Sequence, residues 1–303
     1  MVDIPNTGFA TVSTCDFFYP LADDPYNQGR IACCNVLSDL YSMGITRVDT
    51  ILMILGVSTR MNDIEKEVTT KLLMQGFADT AEEAKTSVTG GQTVFNPWCM
   101  IGGTAMATLK KEDIIFPSGA EPGDVLIMTK PLGTQLAGNF NQWIKEEKFK
   151  EKWLQIASHT TEEKVRDAYE KAVFYMSQLN LPGAILMQKY KAHGATDVTG
   201  FGLLGHAKNL AIAQKNKVDL VISKLPLLND IYKLDKIARN FRLVEGLSAE
   251  TSGGLLICLK KEAAGDFISD YEKMTGVKAW MVGDVVEGSN QARILPNPEI
   301  IEV

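Results

Sequence analysis

Ala195-Thr196-Asp197-Val198-Thr199-Gly200-Phe201-Gly202-Leu203-Leu204-Gly205-His206 decides how the fold is read, because its glycines spell G-x-G-x-x-G. In a dinucleotide-binding domain that fingerprint follows a hydrophobic strand and opens a helix, so that the pyrophosphate rests on the helix N-terminus. The run before it, Lys191 to Thr199, is polar and broken by Gly194, so no strand is expected there. Asp219 stands at a tempting distance downstream, yet the Rossmann reading fails this test of context. What remains is a lone carboxylate, Asp197, beside three glycines and a helix start, a combination suited to phosphate and metal chemistry.

Outward from this block, strands alternate with helices. Gly8 to Ser13 and Val48 to Leu55 read as strands with a helix from Gln28 to Met43 between them. A helix is expected over Ile64 to Ala84 with Asp63 near its start, then a strand over Met100 to Leu109. Phe116-Pro-Ser-Gly-Ala-Glu-Pro-Gly is rich in turn residues and marks the expected boundary between domains at 1–117 and 118–303. Beyond it come a strand at Val125 to Met128 and a helix to about Leu179, opened by a Thr160/Glu163 capping box and stopped by Leu181-Pro182-Gly183. A helix after Thr199 follows. Strands are expected at Val218 to Ile222, Leu255 to Leu259 and Trp280 to Val285, with a helix at Glu262 to Met274. The fold class is therefore α/β in the layered α+β sense, with the direction of the strands left open.

A chain of 303 residues is long enough for two domains with real cores, and 45% hydrophobic with 22% charged residues is ordinary for globular proteins. A net charge of −6 argues against broad binding to nucleic acid or anionic membranes, so any polyanion must be held locally, with metal. The five cysteines form no C-x-x-C pair and give neither a disulfide framework nor a zinc site. With no signal peptide and no apolar run of about 18 residues, a cytosolic location is expected.

Several carboxylates keep unusual company. Asp16 ends the strand Ala10 to Cys15, where ligands are often held, although an Asp that caps the next turn would look the same. Asn35 and Asp39 lie at i and i+4 on a helix that reads as buried, so Asp39 must be paired, hydrogen-bonded or bound to a cation. Thr89-Gly90-Gly91-Gln92-Thr93 offers approachable backbone N–H groups and hydrogen-bonding side chains to an anion, or is a plain turn between helix and strand. Thr251-Ser-Gly-Gly before Leu255 reads the same two ways. His159, His193 and His206 lack metal-ligand spacing and are expected to be structural or solvent-facing. Cys15, with no neighbour to depress its pKa, reads as a small buried residue rather than a nucleophile.

In order along the chain, Ser13-Thr-Cys-Asp-Phe-Phe-Tyr-Pro, Gly29-Arg-Ile-Ala-Cys-Cys-Asn-Val-Leu-Ser-Asp, Thr89-Gly-Gly-Gln-Thr, Thr129-Lys-Pro-Leu-Gly-Thr, the Asp197 block and Thr251-Ser-Gly-Gly-Leu-Leu closely resemble selenophosphate synthetase, or selenide, water dikinase, of the eukaryotic type. The resemblance runs from near Gly8 to about Arg293. It implies a two-domain fold like that of aminoimidazole ribonucleotide synthetase, with an N-terminal ATP-binding and dimerisation domain and a homodimeric assembly. It implies conversion of ATP, selenide and water into selenophosphate, AMP and phosphate, with Mg2+ and K+. By match to the family's motifs, Asp39 and Asp197 would hold Mg2+ on the ATP phosphates, while Asp16 and Gly90, Gly91, Gln92 and Thr93 would contact nucleotide. The family's glycine-rich leader, with its catalytic cysteine or selenocysteine and lysine, has no counterpart here, and threonine is usual where Cys15 stands. On the resemblance, no catalytic residue is assigned within this chain, which is expected to be truncated and inactive alone. A non-catalytic regulatory relative, or another enzyme of the same fold such as a purine-biosynthetic synthetase or thiamine-phosphate kinase, are the competing readings.

Overall fold

The computed structural model describes residues 1–238 and 241–303. They form two compact units, one of Met1–Ile115 with Ser177–Ile185, the other of Phe116–Met176 with Leu186–Val303. The short return of Ser177–Ile185 to the first unit is what a contiguous division at 117 does not contain.

The first unit is built on a five-stranded sheet. Its elements are β1 (Val2–Asp3), β2 (Phe9–Phe18), α1 (Pro25–Ser42), β3 (Thr50–Ser58), α2 (Asp63–Glu83), β4 (Val88–Asn96) and β5 (Met100–Lys110), and the strand order is β1-β2-β5-β3-β4. Neighbours are antiparallel except β3 and β4, which run parallel. Asp24 caps α1 by accepting from the N–H groups of Tyr26 and Asn27, and Pro25 suits the first turn, where no N–H is needed. Asn62 and Glu65 form a reciprocal capping box on α2. Alternate residues of the strands, among them Ala10, Val12, Ile51, Leu55, Ile101 and Ala105, join Val36, Leu37, Leu40 and Phe77 from the helices in one core. The other sheet face is left open.

The second unit comprises β6 (Asp124–Met128), α3 (Thr134–Lys145), α4 (Lys150–Ile156), α5 (Glu162–Met176), α6 (Leu181–Lys189, its start in the first unit), β7 (Gly194–Asp197), α7 (Gly202–Ile212), β8 (Val218–Leu227), α8 (Asp235–Ala238), β9 (Leu255–Lys260), α9 (Lys261–Thr275), β10 (Trp280–Glu287) and β11 (Ala292–Glu302). Its sheet has the order β11-β8-β10-β6-β9-β7, antiparallel throughout apart from β11 beside β8. Every residue of β6 is buried, as a central strand covered on both faces requires.

Four expectations need correction. Thr89 to Thr93 is not a turn but the body of β4, because pairing with β3 holds even a Gly-Gly pair extended. A strand does precede the G-x-G-x-x-G run: β7 is polar and short, and its extended form comes from pairing with the buried, apolar β9. That strand lies antiparallel at the sheet edge, so the parallel βαβ unit of a Rossmann domain is still absent from it. The cap before α5 is Thr161, whose hydroxyl accepts from the Lys164 N–H, and not Thr160. Finally, Leu181-Pro182-Gly183 opens α6 instead of ending α5, since proline is compatible with a first helical turn.

Candidate functional site

In the first unit α1 lies against β2 and β5, and the two carboxylates singled out in the sequence meet there. Alternation along β2 turns Ala10, Val12, Thr14 and Asp16 to the helix side, and Asp16 pairs across to Gly103 inside the strand and not at its end. From α1, Asn35 and Asp39 face them one turn apart. The Thr14 hydroxyl donates to Asp39 Oδ2 at 2.6 Å, and the Asn35 amide donates to Asp16 Oδ2 at 3.2 Å. Burial, and secondly the charge of Asp39, push Asp16 up to about 6. Asp39 itself is exposed although thirteen other residues of α1 are buried, so an otherwise buried helix presents this carboxylate near its C-terminal end.

Two carboxylates flanked by a hydroxyl and an amide make an all-oxygen donor set, which suits a hard cation such as Mg2+. Among the described residues no three His, Cys, Asp or Glu side chains gather into a metal cage. Magnesium is commonly held by one or two carboxylates, with water and phosphate oxygens completing its shell, so a two-carboxylate arrangement fits it. A cation here would also remove the repulsion that raises Asp16.

β4 is an edge strand, and Thr89, Gly90, Gly91, Gln92 and Thr93 are all exposed. An edge strand leaves one row of backbone N–H groups unpaired and available to an anion. Two strands separate β4 from β2, which puts roughly 14 Å between them at the usual spacing of about 4.8 Å per strand. The glycine strip and the Asp16–Asp39 pair are therefore separate features of the same sheet.

In the second unit Asp197 is the last residue of β7 and is buried. The turn after it is pinned from both sides. His206 Nε2 accepts from the Thr199 N–H at 3.0 Å, which assigns the ring proton to Nδ1. Gly202 has φ +68°, and a Cβ there would stand 2.6 Å from the carbonyl oxygens of Gly246 and Ser248, so the conformation and the packing both demand glycine. A Cβ on Gly253 would meet the Val198 carbonyl oxygen at 2.0 Å, and Lys130 Nζ donates to the Ser252 carbonyl at 2.8 Å. Three separate sequence blocks, 129–134, 195–206 and 250–254, thus close on one another.

Sequence reasoning missed Glu250. This fully buried carboxylate accepts from the N–H groups of Gly133 and Thr134, at 2.8 and 2.9 Å, and from the Thr134 hydroxyl. It caps α3 from 116 residues away, and no local pattern signals that. Of the histidines, His193 Nδ1 bonds buried Asp124 at 2.7 Å and His159 is exposed, so these two and His206 are structural or solvent-facing as expected. Cys15 is exposed on the open sheet face, because the β2 alternation that turns Asp16 inward turns its neighbour outward.

Residues 1–109 match the family model of the AIR synthase related protein N-terminal domain, and residues 121–295 that of the C-terminal domain. The chain is 48% identical to Selenide, water dikinase 3 of Danio rerio, over all of its own length and 70% of that protein's. It is 49% identical to Selenide, water dikinase 2 of Mus musculus, covering 67% of it, and 47% identical to Selenide, water dikinase of Dictyostelium discoideum, covering 82%. Among solved structures, thiamine-monophosphate kinase from Stenotrophomonas maltophilia superposes with a TM-score of 0.69 at 18% identity, over 97% of this chain and 87% of that one. E. coli HypE, a hydrogenase maturation protein, gives 0.68 at 16%, over 94% and 82%. At those identities the two structures speak for the fold, while the curated relatives speak for the family: the chain belongs to the selenide, water dikinase family of AIR-synthase-related proteins.

Proposed function

We propose that the protein makes selenophosphate from ATP, selenide and water, releasing AMP and inorganic phosphate. The observation that carries this reading is the identity of 47 to 49%, over nearly the whole chain, with relatives named selenide, water dikinase. In the overall reaction two phosphoanhydride bonds break, and one phosphoryl group ends on selenium and the other on water oxygen. Such transfers need positioning and charge neutralisation more than covalent help from the protein.

In this reading Asp39 of the first unit and Asp197 of the second are Mg2+ ligands, and Asp16 and Gly90 to Thr93 contact nucleotide, the latter at a part of it away from Asp39. Support for Asp39 is its exposure beside a half-buried second carboxylate; support for Asp197 is its burial at a turn held rigid by His206 and Gly202. Mg2+ would supply positive charge to phosphate oxygens that the carboxylates Asp16, Asp39 and Asp197 cannot supply by themselves. Thr14 and Asn35 orient the two first-unit carboxylates. K+ is assigned from the family resemblance alone.

The open face of the first sheet supports a homodimer, because β2, β5, β3 and β4 leave Phe17 56% and Val94 46% exposed with Leu52, Ile54 and Met106 half-buried around them. A cytosolic location is supported by five free thiols; among the described residues no helix is long and apolar enough to cross a membrane.

Phosphorus NMR of the protein with ATP, Mg2+ and selenide, kept anaerobic, tests the reaction. In the form of the protein that carries the family's cysteine- or selenocysteine-bearing segment, selenophosphate and AMP are expected to accumulate in equal amounts, and Asp39→Asn to suppress both at least tenfold. Selenide-independent formation of ADP as the final nucleotide would overturn the proposal in favour of an ordinary small-molecule kinase.

A further inference from the structure

The second unit contains a cleft of about 690 Å³ between α7, the segment that follows β8, and β11. Its volume falls within the range of small-molecule sites, roughly 300–1,000 Å³. Its walls differ from the rest of this acidic protein. Lys208, Lys233, Lys236, Arg242 and Arg293 line it against only Asp235 and Glu245, although the whole chain carries a charge of −6.

The cations divide by what already holds them. Lys233 is paired with Glu302 at 2.8 Å, Arg242 with Glu245 and Arg293 with Asp219. Lys208 and Lys236 have no ionic partner among the described residues. Asp235 forms no ion pair with either: it is buried, and its carboxylate accepts from the N–H groups of Phe241 and Leu243. Two unpaired ammonium groups lining one cleft suit a dianionic group such as a phosphate monoester better than a single carboxylate.

The rest of the lining is apolar, from Leu204, Val244, Ile294, Leu295 and Pro296. This part is held in place by backbone packing, since the Leu204 N–H donates to the Gly246 carbonyl at 2.8 Å and the Gly246 backbone lies against Ile294. Arg242 sits at φ +63°, a conformation in which a residue other than glycine is strained and which often marks a ligand-contacting position. An apolar wall with a cationic rim matches an amphipathic anion, and a basic rim alone would not need the wall.

We propose that this cleft binds a phosphorylated small molecule with a flat apolar body, of the nucleoside monophosphate class, its phosphate between Lys208 and Lys236 and its ring on Leu204, Val244 and Ile294. The site lies wholly within the second unit and uses none of the residues assigned above to the reaction, so it stands or falls independently of that assignment.

The test is methyl NMR of the full chain titrated with AMP, adenosine and inorganic phosphate in parallel. Methyl signals of Leu204, Val244, Ile294 and Leu295 are expected to shift and saturate with AMP, at least tenfold more tightly than with adenosine or phosphate. Leu52 and Ile54 of the first unit report any other nucleotide site separately. The Lys208→Gln, Lys236→Gln double variant, at two exposed positions, is expected to weaken AMP at the cleft at least tenfold, and Ile294→Trp to block it by filling the space. Cleft methyls that stay unmoved by AMP, equal affinity for AMP and either fragment, or undiminished binding in the double-lysine variant would each overturn the proposal.

Discussion

Asp16 is half-buried and faces a second carboxylate, and both causes of its raised pKa favour the protonated form. Because that pKa lies above the value in the unfolded chain, protonation of Asp16 contributes stability that is fully present below about pH 4 and is lost as pH rises through 6. With solvent screening of a partly exposed group taken into account, the cost at pH 8 is on the order of 1 kcal/mol. Asp16→Asn is therefore expected to raise the melting temperature at pH 8 by a few degrees and to leave it unchanged near pH 4, which thermal unfolding at the two pH values checks. Carbon-13 NMR of the carboxyl resolves the causes further. In Asp39→Asn the Asp16 midpoint should fall only part of the way, since burial is the larger cause, whereas Mg2+ added to the unaltered protein should lower it below the value in that variant. A midpoint indifferent to Mg2+ would remove Asp16 and Asp39 from the cation site.

At the scale of elements, α3 shows how a distant residue completes local structure. The helix starts at Gly133 with no side-chain cap of its own, and Glu250 takes over the unpaired N–H groups. Burial outweighs those hydrogen bonds and pushes Glu250 up to about 7. Its protonated form contributes stability that is fully present below about pH 4 and fades as pH rises through 7, so between pH 4.5 and 7 unfolding should release up to one proton and become easier as pH rises. Glu250→Gln should flatten that slope, and Glu250→Ala, which leaves buried donors without an acceptor, should cost about 2–3 kcal/mol by urea unfolding. Strand β4 gives a sharper test. A Cβ on Gly91, at φ +143°, would stand 1.9 Å from the Met53 carbonyl oxygen, while one on Gly90 would meet nothing nearer than 3.5 Å. Gly91→Ala is thus expected to break the β3–β4 pairing and lower stability by more than 2 kcal/mol, with Gly90→Ala within about 1 kcal/mol of the unaltered protein. The same two cases explain what the sequence allows one to read. Helices α1 and α2 carry their caps within a few residues of their starts, and the i, i+4 spacing of Asn35 and Asp39 is local, so the helix and the half of the site that it brings are legible. The start of α3 depends on a residue over a hundred positions away, and β4 and β7 are strands because of their neighbours, in spite of glycines and polar residues that argue for turns. Thr14 as the partner of Asp39, and the closure of three loops around Asp197, are likewise long-range pairings that no spacing encodes.

For the whole molecule the decisive question is what covers the open face of the first sheet. An apolar sheet face ringed by polar residues is costly to leave in water, each fully exposed large side chain representing about 1.5–3 kcal/mol of unrealised burial. Its outward side carries Phe17 on β2, Met106 on β5, Leu52 and Ile54 on β3 and Val94 on β4, with Phe17 and Ile54 both opposite Gly102, whose lack of a side chain leaves them open to a partner. A second copy presenting the same face would bury it on both sides at once, as two-fold symmetric association does. Light scattering is accordingly expected to give twice the 33.3 kDa of the chain. Phe17→Asp combined with Val94→Asp places charges on two strands of that face without touching the core beneath, and should return the mass to that of a single chain while the circular dichroism stays unaltered. A dimer that survives both substitutions would place the interface elsewhere, and a monomeric unaltered protein would mean that the face is left to a partner other than a second copy.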